Sequence, residues 1–267
     1  MQIVTLGLVL REVKVGESDR ILTLLTPEHG IITASAKGSL RLKSKLFSAC
    51  GLFCYSEFTL FPGRSMYMVN EAQVRHVFHG IAASIEAMAL AMYMAEIAIA
   101  LAPTGPEAEV QLRLLLNSLY MANEGKIDLR QLKAVYELRA VSEAGYMPDL
   151  LCCKDCGKYD GGNFCFDPLD GSLLCAACAE RQGKRPNLSN SALTALRHIT
   201  LVEDKRIYSF RLSPQNLIYL GWVTQSYLLA CLDRPLKSLE FLNSVLPEPQ
   251  LPKTAEAGRE EQAEGTT

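Results

Sequence analysis

The sequence has almost no charge bias: 27 Lys and Arg stand against 29 Asp and Glu, a formal net charge of -2. No global pull toward nucleic acid or membrane follows, so any such binding has to come from a local patch. Histidine is scarce. His29, His76, His79 and His198 show no ligand-like spacing with carboxylates or cysteines, and no histidine metal centre is expected. The single tryptophan, Trp222, is a core or interface residue and marks no surface by itself. The opening stretch MQIVTLGLVLREV lacks a basic region before its short apolar run and a small-residue cleavage site, so no secretory signal is expected. An apolar stretch at residues 81–101 is interrupted by Glu86 and Glu96 and has no basic anchor on either flank, which makes it a buried bundle helix rather than a membrane span. With 49% hydrophobic and 21% charged residues over 267 positions, the chain is long and apolar enough for two or three small domains with a real core.

Cysteine is what the chain does have. Cys153 and Cys156 form one C-x2-C hook, and Cys175 and Cys178 form a second after eighteen intervening residues. Two residues between thiols let both sulfurs turn back onto one ion, and two hooks complete a tetrahedron, so the spacing points to a zinc site. Gly157, Gly161, Gly162 and Gly171 supply the turns such hooks need. Four sulfurs leave no open position for water or substrate, which makes the site structural rather than catalytic. A thioredoxin-like redox role would require a strand-helix-strand setting that is missing, and disulfides would require an oxidising compartment that nothing here argues for. Cys152 and Cys165 lie next to or between the hooks and are read as bystanders. Cys50, Cys54 and Cys231 sit in apolar surroundings and read as reduced thiols, which implies the cytosol.

In chain order, residues 1–80 show short strand-like runs: Ile3–Val13, Arg20–Leu25, Gly30–Ala36, Leu52–Phe61 and Ser65–Val77. Five such runs, punctuated by glycines and by Pro62-Gly63, predict a small closed barrel, with the five-stranded OB-fold as the natural candidate. This part of the chain carries nine basic and six acidic residues. Its sharpest feature is AKGSLRLKSKLF, where Lys37, Arg41, Lys43 and Lys45 have no acidic neighbour. In an extended segment Arg41, Lys43 and Lys45 would share one face and track a phosphate backbone; a solvated loop is the competing reading. Of the nearby aromatics Phe47, Phe53, Tyr55, Phe58, Phe61 and Tyr67, most belong in the barrel core, with roughly one or two in six exposed.

Residues 81–246 turn to helical periodicity. One helix is predicted from a Ser84 cap to Leu101, a second from Pro106 to Gly125, and a third from an Asp128 cap to Gly145. Arg130, Lys133 and Arg139 are expected on or near the third helix's solvated side. After the cysteines, Ser191–Leu201, Pro214–Leu232 and Leu236–Leu246 read as further helices, so the ribbon at 150–180 is expected to be inserted into one helical domain. Residues 247–267 read as a disordered tail. The fold class is α+β.

Several stretches together resemble the bacterial RecO family of recombination mediators: GESDRILTLLTPEHG after the first strand, AKGSLRLKSKL, AMYMAEIAIALAP, GYMPDLLCCKDCG followed by GSLLCAACA, and RPLKSLEFL. The resemblance spans residues 1–246, and the extra Cys152 is the one departure, bearing only on the first zinc ligand. It implies a non-catalytic, cytoplasmic and nucleoid-associated DNA-repair protein. Such a protein binds single- and double-stranded DNA, anneals complementary strands, engages the C-terminal tail of the single-strand-binding protein SSB, and works with RecR to load RecA. Matched to the family's basic segment, Lys37, Arg41, Lys43 and Lys45 are assigned to DNA contact, and Cys153, Cys156, Cys175 and Cys178 to structural Zn2+. The SSB tail is acidic with an apolar end, so its pocket should pair basic side chains with exposed bundle hydrophobics. A thiol oxidoreductase and a docking scaffold without DNA contact are the rival readings.

Overall fold

Five N-terminal strands form, β1 Ile3–Val15, β2 Asp19–Thr26, β3 Gly30–Ala36, β4 Cys54–Pro62 and β5 Tyr67–Val77, with burial alternating along much of β2, β3 and β4. In the computed structural model, which describes residues 2–103, 105 and 108–247, they close into a barrel in the order β1-β2-β3-β5-β4. β4 pairs back onto β1, and β3 runs parallel to β5 at Ala34 and Ser35 while the other four pairings are antiparallel. This is the expected five-stranded OB arrangement. Val9, Leu22, Leu24, Ile32, Phe58 and Leu60 fill its interior. A register shift between Val9 and Arg11 interrupts the β1–β2 ladder. Leu8 and Leu10, flanking Val9, join Leu25 and Phe53 in the core of the helical region. The barrel is therefore packed onto the helical body by apolar contact, not tethered to it by a linker.

The helical region comprises α2 Ile85–Leu101, α3 Ala108–Glu124, α4 Leu129–Glu143, α6 Asn190–Leu201, α7 Pro214–Leu232 and α8 Lys237–Val245. Side-chain caps set several of its N-termini: Ser84 Oγ accepts from Ala87 N–H, and Asp128 accepts from the N–H of Arg130 and Gln131. Each cap satisfies backbone donors that the first turn leaves unpaired. The expected helix start at Pro106 and the expected tail beyond Pro247 lie outside the described residues. Among those described, no helix is long and apolar enough to cross a membrane. Two short α-helices were not expected from the sequence, the one-turn helix α1 (Leu46–Ala49) between β3 and β4 and α5 (Ala176–Arg181) within the second cysteine hook. The ribbon, with its hairpin β6 Phe164–Asp167 and β7 Ser172–Cys175, interrupts the chain between α4 and α6, which pack against each other.

The third predicted helix does not present a solvated basic face. α4 packs against α2, α3, α6 and α7, so there is little solvated side to present. Lys133 is 2% exposed and Glu137 fully buried, their charges 2.9 Å apart. Glu137 also accepts from Tyr93 Oη at 2.6 Å and from Thr224 Oγ1 at 2.7 Å, while Lys133 Nζ donates to Gln225 Oε1 at 2.9 Å. Arg139 is likewise consumed by Glu143 and Asp204. These cations neutralise carboxylates that join α4 to its neighbours. Removing one partner strands the other charge in a dry core. Glu137→Ala is therefore expected to lower unfolding free energy by about 3–5 kcal/mol in a denaturant titration, with the double replacement Lys133→Met/Glu137→Leu recovering most of the loss.

Candidate nucleic-acid interface and metal centre

The segment after β3 is a chain of tight turns and not an extended strand, so the alternation of Arg41, Lys43 and Lys45 does not by itself place them on one face. Arg41 N–H donates to Gly38 O and Ser44 N–H to Arg41 O, at 3.2 and 2.8 Å. Gly38 lies in the left-handed region at φ 66°, which a side chain would strain. What shapes the segment is Arg20. Only 6% exposed, it donates through Nη1 to Ser39 O and Phe47 O, both at 3.0 Å, stacks over the Phe47 ring, and pairs with Glu12 at 3.0 Å. The two ends of the loop are thus pinned to one buried guanidinium. Asp19 adds a third tether by accepting from Gly38 N–H at 2.7 Å. That bond, with one from Ser18 and the fields of Lys37 and Arg41, holds the Asp19 carboxyl below its ordinary range.

Lys37, Arg41, Lys43 and Lys45 are all exposed on this loop. Among the described residues none of the four takes part in an ion pair, whereas Arg20 and Arg75, counted with them in the sequence, are bound to Glu12 and Glu57. Of the six nearby aromatics, Phe58 and Phe53 are core, Tyr55 and Tyr67 half-buried, and Phe47 and Phe61 each 38% exposed.

The sulfurs of Cys153, Cys156, Cys175 and Cys178 all lie within 4.8 Å of one another, with Cys156 and Cys175 at 3.6 Å. Tetrahedral zinc with bonds of about 2.3 Å needs sulfur separations of roughly 3.8 Å, so the donor set suits a thiophilic metal. A supporting shell is present: Arg181 Nη2 donates to Cys178 Sγ at 2.8 Å. At Cys153, burial raises the thiol, but N–H groups of Cys175, Cys156 and Asp155 overcome it and bring it to about 6. Cys152 and Cys165 stand outside the cluster. Burial pushes Cys50 up to about 12 and also raises Cys54, Cys165 and Cys231.

A third feature escaped sequence reading because it joins distant segments. A cleft of about 890 Å3 lies between the α3–α4 connection and residues 208–217, with Ile127, Phe210 and Leu217 among its walls and Lys126, Arg130 and Arg211 supplying positive charge. Lys126 pairs with Glu124, while Arg130 donates to Pro247 O and keeps a buried Nε with no hydrogen-bond partner among the described residues.

Comparison with known proteins agrees over nearly the whole chain. The family models described as Recombination protein O N terminal and Recombination protein O C terminal match residues 1–78 and 82–240. A protein of Acetivibrio thermocellus named DNA repair protein RecO is 35% identical over 241 residues, covering 90% of this chain and 96% of the relative. Proteins of the same name from Symbiobacterium thermophilum and Alkaliphilus metalliredigens are 31% and 28% identical, over 90% and 92% of this chain and 96% and 100% of theirs.

Proposed function

This chain belongs to the RecO family of DNA repair proteins, and from that premise we propose that it binds single- and double-stranded DNA through Lys37, Arg41, Lys43 and Lys45 and anneals complementary strands. The observation that carries this reading is the loop itself: four exposed cations, outside any ion pair among the described residues, on turns fixed by buried Arg20. Phosphate contacts of this kind position a strand without reading its sequence, which suits a protein that must act on any DNA. Residues 1–80 then form the DNA-binding domain and 81–246 the body that carries it. Structural Zn2+ at Cys153, Cys156, Cys175 and Cys178 cross-links the ribbon. The protein works by binding and not by covalent chemistry. A thiol oxidoreductase would need an accessible cysteine of low pKa outside a closed metal site, and the raised thiols of Cys50, Cys54, Cys165 and Cys231 argue against one.

The cleft walled by Ile127, Phe210 and Leu217 has the chemistry required for the SSB tail, apolar walls for its end and Arg130 and Arg211 for its acids. Arg130 Nε, which has no hydrogen-bond partner among the described residues, is a donor that suits a carboxylate there. RecR and, through it, RecA complete the proposed set of partners. The test is annealing of complementary strands coated with SSB. Wild-type protein is expected to accelerate annealing of both coated and bare strands. Arg130→Ala/Arg211→Ala is expected to retain the effect on bare strands and lose at least tenfold on coated ones. Equal rates with and without wild-type protein would refute the function, and equal loss on both substrates would remove the cleft from it.

A further inference from the structure

Leu42 stands where an apolar side chain has no structural use. It is 85% exposed, in the same loop whose cations are assigned to DNA contact. The Ser44 N–H to Arg41 O bond closes a turn in which Leu42 and Lys43 are the two corner residues. The turn is held from below: Leu40 N–H donates to Ser18 O at 2.9 Å, buried Ser39 bonds Ala36 O at 2.8 Å, and Arg20 holds Ser39 and Phe47. The loop is thus a braced support that presents one aliphatic side chain between two exposed cations, Arg41 and Lys43. Phe47, one face near Arg20 and 38% exposed, lies at the loop's far end.

Single exposed leucines are ordinary on protein surfaces. This one differs in its flanks. A strand whose phosphates meet Arg41 and Lys43 brings its sugar–base side against the residue between them. Apolar wedges set among cations on DNA-binding surfaces enter between bases and unstack them. An unpaired strand offers that gap at little cost, whereas an intact duplex must first be unstacked.

We propose that Leu42 is a base-contacting wedge that packs against unpaired nucleobases and biases the loop toward single strands and frayed duplex ends. The inference rests on the DNA-binding reading above and adds a base contact to its phosphate contacts. Covering an aliphatic side chain of this size with a base removes apolar surface from water, so Leu42→Ser is expected to weaken binding to an oligo-dT strand by roughly tenfold. The loss on a blunt hairpin duplex should be several-fold smaller, and the salt slope on the single strand should stay as in the wild type, because every phosphate-binding cation is kept. Leu42→Trp supplies a direct readout: wild type contains only Trp222, so a fluorescence change on adding oligo-dT that is absent from wild type reports a base against position 42. Unchanged single-strand affinity of Leu42→Ser, or an equal loss on strand and duplex, overturns the wedge while leaving the cationic loop standing. Failure of wild-type protein to bind either DNA overturns both.

Discussion

Replacing Lys37, Arg41, Lys43 and Lys45 together with alanine is expected to weaken binding to single-stranded DNA of every sequence alike. It should also flatten the dependence of log K on log salt by about 0.7 for each phosphate that is no longer neutralised. If all four reach phosphate, the slope falls by about 2.8, and the drop in affinity between 50 and 200 mM salt becomes roughly fiftyfold smaller. The size of this effect follows from where the remaining charge sits. The net charge of the chain is -2, so no general attraction stands behind the loop. Of the other barrel cations, Arg20 is tied to Glu12 and Arg75 to Glu57, while Arg11, Lys14 and Arg64 are exposed but lie outside this loop. Arg20→Met separates loop shape from loop charge. It removes no exposed cation, yet it frees Ser39 O and Phe47 O and leaves Glu12 without its partner. Its expected signature is a stability loss of about 3 kcal/mol together with weakened DNA binding at an unchanged salt slope. A quadruple variant that keeps wild-type affinity and slope would remove DNA contact from this loop.

The sequence made the loop's composition legible but not its form. Four cations without an acidic neighbour are visible in AKGSLRLKSKLF, but alternation implies a shared face only if the backbone is extended. Gly38 at positive φ and the reach of Arg20 across to Ser39 and Phe47 decide otherwise, and Arg20 lies nineteen positions before the first of these acceptors. The strands were readable because glycines and Pro62-Gly63 break apolar runs, and ends moved by only a few positions, as from Arg20–Leu25 to Asp19–Thr26. Helix α4 misled for a related reason. A lysine reads the same whether it faces water or a carboxylate on its own buried face, and Lys133 turned out to face Glu137 inside a helix covered on several sides. The cleft between 126–131 and 208–217 was invisible because no local pattern couples segments some eighty residues apart. The cysteine cluster was the opposite case: its spacing is the geometry.

Stripping metal from this protein should unfold the ribbon and leave the barrel standing. Structural zinc in isolated fingers contributes about 10–16 kcal/mol of folding free energy, and the ribbon has little else of its own, two four-residue strands and one short helix. One side of it is joined to the helical body through a shared apolar core to which Phe164, Phe166, Leu173 and Leu174 belong, and through specific contacts. Gly171 lies so close to Tyr227 that a Cβ there would meet the ring at 2.9 Å, Phe166 stacks edge-on at 5.6 Å, and Tyr227 Oη donates to Tyr146 O at 3.2 Å. From α6, Arg197 donates to the carbonyls of Leu150, Leu151 and Tyr159. These joints anchor one side of the ribbon, whereas the four thiols that share one small volume would have the metal as their common tie. Cys175→Ser, or chelation of the wild type, is therefore expected to cost several kcal/mol in a thermal or denaturant melt and to open residues 150–186 to hydrogen exchange while β1–β5 stay protected. Four thiols should become reactive together once chelator is added, and DNA affinity per folded molecule should change little, because the cationic loop belongs to the barrel. A chelated protein with an unchanged melt and unreactive Cys153, Cys156, Cys175 and Cys178 would show that the ribbon stands without metal. Loss of DNA binding in step with the ribbon would place part of the nucleic-acid surface there.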